Sequence, residues 1–241
     1  MTTSNPNPLR AFARADLLLG LSAALGRPSP EAQERLRVLG REAGPLLQQA
    51  DLRAPGLLEA VESLGTVAAA TPLTEWQHEA ARLYEASQAC PANETAFVRR
   101  DKGAVLGDVV GFYRAFGVEP APGSGEKPDH VVAELEFMGL LCLMLGQALE
   151  QGRPAEAEVC ERALASFARD HLGEWLPGFC LALSQASPQP FQQAAAEAVV
   201  RAWDALCVAE RFEDPRGRPL PTVVPDEGTP YECGLAQAGI A

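Results

Sequence analysis

Residues 121–141 of the chain, "APGSGEKPDHVVAELEFMGLL", join a segment rich in glycine and proline to a long apolar run. Along this run and beyond it, apolar side chains recur every three or four residues, which is typical of a helix with a buried face. These side chains are Val131, Leu135, Met138, Cys142, Leu145 and Leu149. Pro128 suits the first position of a helix, and the Asp129 carboxylate suits its positive N-terminal end. The stretch therefore predicts a largely buried helix over 129–150 that begins directly after a loose connection.

The rest of the chain has the same helical character. Aromatic residues make up only 6% of it, and no segment alternates between apolar and polar residues as a strand would. Ser29 is placed to cap a second helix, and Asn93 or Thr95 to cap the next helix after "CPANETAF" (residues 90–97). Helices are predicted at 8–25, 30–43, 55–70, 74–88, 101–116, 129–150, 154–169, 172–185 and 189–211. We expect an all-α fold, with a single helical domain of about nine to ten helices.

Two segments rich in proline and glycine interrupt the helices. Residues 117–128, "GVEPAPGSGEKP", predict an extended hinge between the helix sets 9–116 and 129–211. We interpret the two sets as one domain, 1–212, with an internal hinge that would also permit domain exchange in a homodimer. Residues 213–241 carry prolines every few residues and predict a tail without a long helix.

Charge and cysteine content restrict the class of protein. A net charge of −12 argues against binding to nucleic acid or to an anionic membrane surface. The apolar runs near the N-terminus and at 137–149 are shorter than a membrane span, and the first predicts an amphipathic helix rather than a targeting segment. The six cysteines form no CxxC pair, and Cys142, Cys160 and Cys207 are interpreted as buried thiols of a cytoplasmic protein.

Ionisable residues cluster at the start of the predicted helix over 129–150. Glu126, Asp129 and Glu134 can all lie within about one turn of His130. Carboxylates on a mobile joint can bind guanidinium groups, which favours a binding role over catalysis. The alternative is that Pro-Asp-His is simply a well-capped helix start. No nucleophile, metal site or cofactor site is predicted here.

The same stretch resembles a known family. "EKPDHVVAELEFMGLL" is similar to the signature of the TorD/DmsD/NarJ family of molybdoenzyme-specific chaperones. "CPANETAF", "GDVVGFYRAFGV" and "FARDHLGEWLPGF" resemble three further family segments and come in the family's order between about residues 90 and 180.

The resemblance implies an all-α cytoplasmic chaperone. Such a protein binds the N-terminal twin-arginine signal peptide of a molybdenum-cofactor oxidoreductase subunit and holds the apo-subunit for cofactor insertion before export or assembly. Because no residue argues for a nucleophile, a metal site or a cofactor site, we expect that it is not an enzyme and carries no cofactor of its own. The residues implied in peptide binding are Glu126, Pro128, Asp129, His130, Glu134, Glu94, Tyr113, Phe116, His171 and Trp175.

Other interpretations of these residues stay open at this point. His171 and Trp175 share a helix face, which is typical of a packed Trp beside a hydrogen-bonded His. Tyr113 and Phe116 suit a core or a groove wall, and Glu94 could bind backbone amides near its turn.

Three other functions are considered besides the exported-client chaperone. One is a NarJ-like assembly chaperone for a subunit that is not exported, and another is a structural helical adaptor. The third is a small helical metal-dependent hydrolase that uses His130, Asp129, His171 and Glu134, although the chain has no H-E-x-x-H motif and no P-loop.

Overall fold

A computed structural model describes residues 7–86, 89–119 and 127–212. In these residues, all regular structure is helical, which confirms the all-α prediction, and the strand-like pairing is confined to a single bridge between Asn93 and His130. The α-helices are α1 (Pro8–Leu25), α2 (Pro30–Arg41), α3 (Ala43–Gln49), α4 (Leu57–Ala70), α5 (Leu73–Ala80), α6 (Lys102–Ala115), α7 (Val131–Glu150), α8 (Pro154–Phe167), α9 (Gly173–Ala186) and α10 (Pro190–Glu210). Two π-helical turns, Ala81–Ala86 and Ala168–Leu172, and a 3₁₀ turn, Glu94–Ala96, complete the set.

The predicted helices correspond to observed ones, with one omission. The helix predicted at 30–43 ends at Arg41, and a separate short helix, α3, comes directly after it. Gly44 and Pro45 lie at the start of α3, and these residue types argue against a helix when only the sequence is considered. The helix predicted at 74–88 is α5 together with the π-helical turn to Ala86, while residues 87 and 88 lie outside the described ranges.

Helix capping agrees with the sequence at one predicted position and differs at another. The Ser29 hydroxyl accepts a hydrogen bond of 3.1 Å from the backbone N–H of Ala32, and so caps α2 as predicted. The cap of α6 is Asp101, whose carboxylate accepts from the Ala104 N–H at 2.8 Å. The prediction that Asn93 or Thr95 caps this helix is wrong, because both side chains donate to Asp129 instead.

The start of α7 also differs from the prediction. The helix begins at Val131, and its cap is His130, whose ring Nδ1 accepts from the backbone N–H of Val132 at 3.3 Å. Pro128 and Asp129 therefore precede the helix, and Asp129 does not cap it. The predicted burial is confirmed for Val131, Leu135, Met138 and Cys142, which are all buried, whereas Leu145 and Leu149 at the end of the same stripe are only half-buried.

Helix α7 is the centre of the molecule. It lies along α1 and also packs against α8, while α4 packs against α2 and α10. Gly139 and Gly146 let α1 approach closely, because a Cβ atom would meet Leu19 at the first position and Phe12 at the second. The hydrophobic core extends through helices on both sides of the predicted hinge. Of that segment, residues 120–126 lie outside the described ranges, as do residues 213–241 of the predicted tail.

Within the described ranges, α7 is also the helix that is long and apolar enough to cross a membrane, by length and composition only. Of its most apolar window, 61% is buried inside the protein. Such burial is typical of a core helix, and the packing of α7 between α1 and α8 accounts for its composition.

The described cysteines, Cys90, Cys142, Cys160, Cys180 and Cys207, are buried and form no disulfide among themselves. Burial raises the pKa of the Cys90 and Cys142 thiols to about 12, so both stay protonated near neutral pH. The interpretation of Cys142, Cys160 and Cys207 as buried thiols is confirmed, while Cys233 lies outside the described residues.

The crossing of α2 and α4 depends on two glycines. A Cβ on Gly65 would lie 2.6 Å from the Cα of Gly40, and there is no flexible side chain there that could move aside. We therefore expect Gly65→Ala to lower the free energy of unfolding by about 1–3 kcal/mol through overpacking. Urea denaturation monitored by circular dichroism at 222 nm measures this change.

The matched control is Gly107→Ala on α6, where a Cβ would meet nothing within 4 Å. Alanine there should stabilise the protein by up to about 1 kcal/mol through its higher helix propensity. Equal effects of the two substitutions would show that the α2–α4 contact is not as tight as described.

Candidate functional site

The carboxylate of Asp129 joins two distant parts of the chain. It is fully buried, and its two oxygens accept hydrogen bonds from the Asn93 amide at 3.0 Å, the Thr95 N–H at 3.1 Å and the Thr95 hydroxyl at 2.7 Å. Backbone bonds support the same contact, from Glu94 N to Asp129 O and from Val131 N to Ala92 O, each 2.9 Å long. Asp129 therefore fastens the segment 91–98 to the start of α7.

Glu94 lies on this fastened segment and is also fully buried. One carboxylate oxygen, Oε1, accepts from Arg100 Nη2 at 2.6 Å, and the other, Oε2, lies 3.0 Å from His171 Nδ1. The idea that Glu94 binds backbone amides near its turn is therefore wrong. Its partners are two side chains, one of them 77 positions away in sequence.

Glu134, one turn into α7, is the third buried acid of this region. Its Oε2 accepts from the indole N–H of Trp175 at 3.0 Å, whereas its Oε1 accepts from no donor within the described ranges. Burial, and then the charge of Glu94, hold the pKa of the Glu134 carboxyl well above its usual range. This environment favours the neutral, protonated form of Glu134.

The aromatic residues of the predicted site are packed. Trp175 is fully buried and contacts the ring of Phe97, and the His171 ring packs against Phe167. The interpretation of His171 and Trp175 as a hydrogen-bonded His beside a packed Trp is therefore confirmed.

Tyr113 and Phe116 both pack on Phe137, with ring centroids 4.8 and 5.9 Å apart. The Tyr113 hydroxyl donates to the Pro128 carbonyl at 2.8 Å, and burial raises the pKa of this phenol. Tyr113 is thus a core residue that also fixes the Pro-Asp-His segment, while Phe116 is only partly buried.

The sequence motifs therefore meet at one junction, but the junction is closed. Asp129, Glu134 and Glu94 lie inside the protein and use their oxygens on internal donors, so the hypothesis of an open carboxylate cluster around His130 is wrong for the described residues. The remaining acid of that hypothesis, Glu126, lies outside the described ranges.

Several residues of the junction were missed by the sequence analysis. Asn93 and Thr95 were considered only as helix caps, and Arg100 was not considered at all. A polar run within "CPANETAF" next to a buried helix start is the signal that could have indicated the first two. Arg100 lies on an exposed loop, and nothing in its neighbours in sequence indicates its partner.

An open groove lies elsewhere, between the end of α4, α5 and the start of α10, and has a volume of about 630 Å³. Its walls include Val67, Ala70, Glu75 and Glu79, and the rings of Trp76 and Phe191, tilted by 45° with centroids 4.4 Å apart, also line it. Glu79 is bound to Arg82 and Ser187. The sequence-predicted site residues do not line this groove.

The hydrolase hypothesis needs four residues in one place. In the described ranges, no group of three or more His, Cys, Asp or Glu side chains is placed to hold a metal ion. Asp129, Glu134 and His171 each bind a different partner, and His130 caps a helix. The structure therefore does not assemble this proposed ligand set.

Removal of the Asp129 carboxylate should detach the segment 91–98 from α7. We expect Asp129→Ala to lower the free energy of unfolding by about 3 kcal/mol, because it leaves three partly buried donors of Thr95 and Asn93 unpaired. The matched control is Asp101→Ala, which removes an exposed cap of α6 and should cost only about 1 kcal/mol. Urea denaturation compares the two, and a smaller loss for Asp129→Ala would contradict the fastening role.

The raised pKa of Glu134 predicts a dependence of stability on pH. Above the ordinary glutamate pKa of 4.5, the folded state holds a proton that the unfolded state has released, so the free energy of unfolding falls as the pH rises. Glu134→Gln keeps an acceptor for Trp175 and removes this titration. Above pH 5, we expect the free energy of unfolding of the variant, relative to that of the wild type, to increase by up to about 1.4 kcal/mol per pH unit.

Denaturation curves at pH 5, 6.5 and 8 measure this gain. Glu150→Gln, an exposed change on the same helix, is the control and should keep the wild-type pH profile. A constant difference between Glu134→Gln and the wild type across these pH values would show that Glu134 is ionised in the folded protein.

Comparisons with known proteins agree with the motifs. The family model described as nitrate reductase delta subunit matches residues 50–181, which is more than half of the chain. The chlorate reductase assembly chaperone protein of Ideonella dechloratans is 40% identical over 80 residues, which are 33% of this chain and 40% of that protein. The selenate reductase assembly chaperone protein of Thauera selenatis is 38% identical over 78 residues, 32% of this chain and 39% of that protein.

The chain thus spans about two fifths of the length of these curated relatives. No solved structure matches it at a significant level. The family match covers the segment 91–98, α6, α7 and most of α9, which are the elements that meet at the Asp129 junction. The chain therefore belongs to the nitrate reductase delta subunit family, which is the TorD/DmsD/NarJ family of molybdoenzyme chaperones that its motifs resemble.

Proposed function

We propose that this protein is a cytoplasmic assembly chaperone, not an enzyme, that binds the N-terminal segment of a molybdenum-cofactor oxidoreductase subunit. It holds the apo-subunit until the cofactor is inserted, before export or assembly. The observation that carries this proposal is the family match over residues 50–181. The names of the two relatives, which are assembly chaperones for chlorate and selenate reductases, support it.

The chemistry of such a segment makes two demands on the chaperone. A twin-arginine leader is basic at its start and apolar after it, so it needs an acidic surface and an apolar one. The net charge of −12 attracts the basic part over a distance. The apolar part requires an open groove in which it can exclude water.

We assign the apolar part of the segment to the groove between α4, α5 and α10. Its volume of about 630 Å³ can hold several side chains, and Val67, Ala70 and Pro190 give it an apolar wall. Glu75 on α5 lies at the same groove, which favours an occupant with a basic residue next to its apolar ones, whereas Glu79 is already paired with Arg82. The buried acids Asp129 and Glu134 act in this proposal as structural residues.

Isothermal titration with a synthetic leader peptide tests the proposal. The peptide is the N-terminal segment of a molybdoenzyme subunit from the same genome, and we expect binding with 1:1 stoichiometry. Ala70→Trp, which fills the groove from an exposed position, should weaken binding about 10-fold or more, since a loss of 1.4 kcal/mol is tenfold.

The matched control is Ala69→Trp, an exposed position that does not line the groove and should leave the affinity unchanged. Failure of the wild type to bind the leader or the whole apo-subunit would refute the proposed function. Equal effects of Ala70→Trp and Ala69→Trp on the affinity would refute the assignment of the apolar part to this groove, but not the chaperone function. Undiminished binding of a segment without twin arginines would favour a client that is not exported.

A further inference from the structure

Arg100 occupies a socket made of three oxygen acceptors. Its Nη2 lies 2.6 Å from Glu94 Oε1, 2.9 Å from the Asp170 carbonyl oxygen and 3.2 Å from Glu174 Oε2. The arginine side chain is 38% exposed, whereas the Glu94 carboxylate beneath it is fully buried. A guanidinium therefore enters this socket from the protein surface and meets a buried carboxylate at its base.

The socket is held in place by bonds that do not involve Arg100. His171 Nδ1 lies 3.0 Å from the second oxygen of Glu94, and the backbone N–H of Glu94 donates to Asp129 O at 2.9 Å. Asp170 and Glu174 are fixed because they lie in the π-helical turn before α9 and in the first turn of α9. The acceptors thus keep their arrangement if the guanidinium leaves.

The network behind the socket is not saturated by the protein's own donors. Glu134 Oε1 and His171 Nε2 are buried atoms of fully buried side chains, and neither has a hydrogen-bond partner among the residues that the structure describes. His171 Nε2 lies 3.3 Å from Asp108 Oδ2, but without hydrogen-bond geometry. Such unpaired groups are costly in a protein interior, which indicates that this network serves more than folding.

The sequence around Arg100 adds an independent observation. Arg99 and Arg100 are consecutive, and both residues are exposed. Arg100 is paired with the buried carboxylate of Glu94. Two consecutive arginines of the chain therefore lie at the surface above this carboxylate. A twin-arginine segment would present the same pair of side chains.

We propose that this socket is a guanidinium-binding site for an arginine of the bound client segment, and that Arg100 is its resident occupant, displaced when the segment binds. This inference depends on the proposed function. Exchange of one guanidinium for another keeps Glu94 paired throughout, which avoids a buried unpaired carboxylate in the free protein. The released Arg100 can enter water directly, because it is already partly exposed.

Occupation by Arg100 also sets a threshold for binding. An intramolecular group competes at an effective concentration in the millimolar range, so weak cationic ligands cannot displace it. An arginine on a segment that also gains groove contacts can displace it. Lysine is a poorer competitor, because its ammonium is more strongly hydrated than a guanidinium and loses more of its hydration when it enters a site with a buried carboxylate at its base.

The test uses the full chain and two short probes, acetyl-Arg-Arg-amide and acetyl-Lys-Lys-amide. We expect Arg100→Ala to bind the diarginine probe about 10-fold more tightly than the wild type, which corresponds to a socket about 90% occupied at rest. The affinity for the dilysine probe should increase little in Arg100→Ala. Arg37→Ala, which removes an exposed arginine paired with Glu34 on α2, is the control and should show no gain.

The outcomes separate this inference from the proposed function. If the wild type and Arg100→Ala bind diarginine with equal affinity, the proposed guanidinium site is refuted even if the leader peptide binds. The same holds if Arg100→Ala increases the affinity for dilysine as much as the affinity for diarginine. If Arg100→Ala does not fold, the guanidinium NMR resonances of Arg100 in the wild-type protein decide. Their shift to free-arginine positions at saturating diarginine is expected, and their persistence would overturn the proposal.

Discussion

The buried carboxylate of Asp129 is the interaction on which the rest of the site depends. Its three donors belong to Asn93 and Thr95, more than thirty positions earlier in the chain, so it converts a short irregular segment into a fixed part of the helical core. Once that segment is fixed, Glu94 faces His171 and Arg100. A buried anion with several charge-assisted hydrogen bonds can hold such a connection, because no water competes for its oxygens.

Two further carboxyl groups share this interior, and they differ in charge. Glu94 is paired with an arginine and lies beside a histidine, whereas Glu134 has an indole N–H, and its burial and the nearby charge of Glu94 raise its pKa. Two adjacent buried carboxylates would repel each other, so one proton is kept on Glu134. This division explains how the acidic residues of the motif can lie inside the protein.

The fold could be predicted from sequence because helix periodicity is a local property, and the positions of α1, α7 and α10 could be derived from it. Helix α3 was missed because Gly44 and Pro45 argue against a helix that packing nevertheless stabilises. Motif residues correctly indicated one junction. Whether Asp129 caps a helix or lies buried depends on Asn93 and Thr95, and a capping rule cannot include partners so distant in sequence. Arg100 could not be predicted for the same reason.

The π-helical turn Ala168–Leu172 has a consequence for how this family can vary in length. It contains Asp170, whose carbonyl accepts from Arg100, and it leads directly into α9, which carries Trp175. Each α-helical residue rotates the side chains after it by about 100°, so one residue added or lost in α9 before Trp175 would turn the indole away from Glu134. A change of length that keeps the junction therefore has to fall outside the first turn of α9.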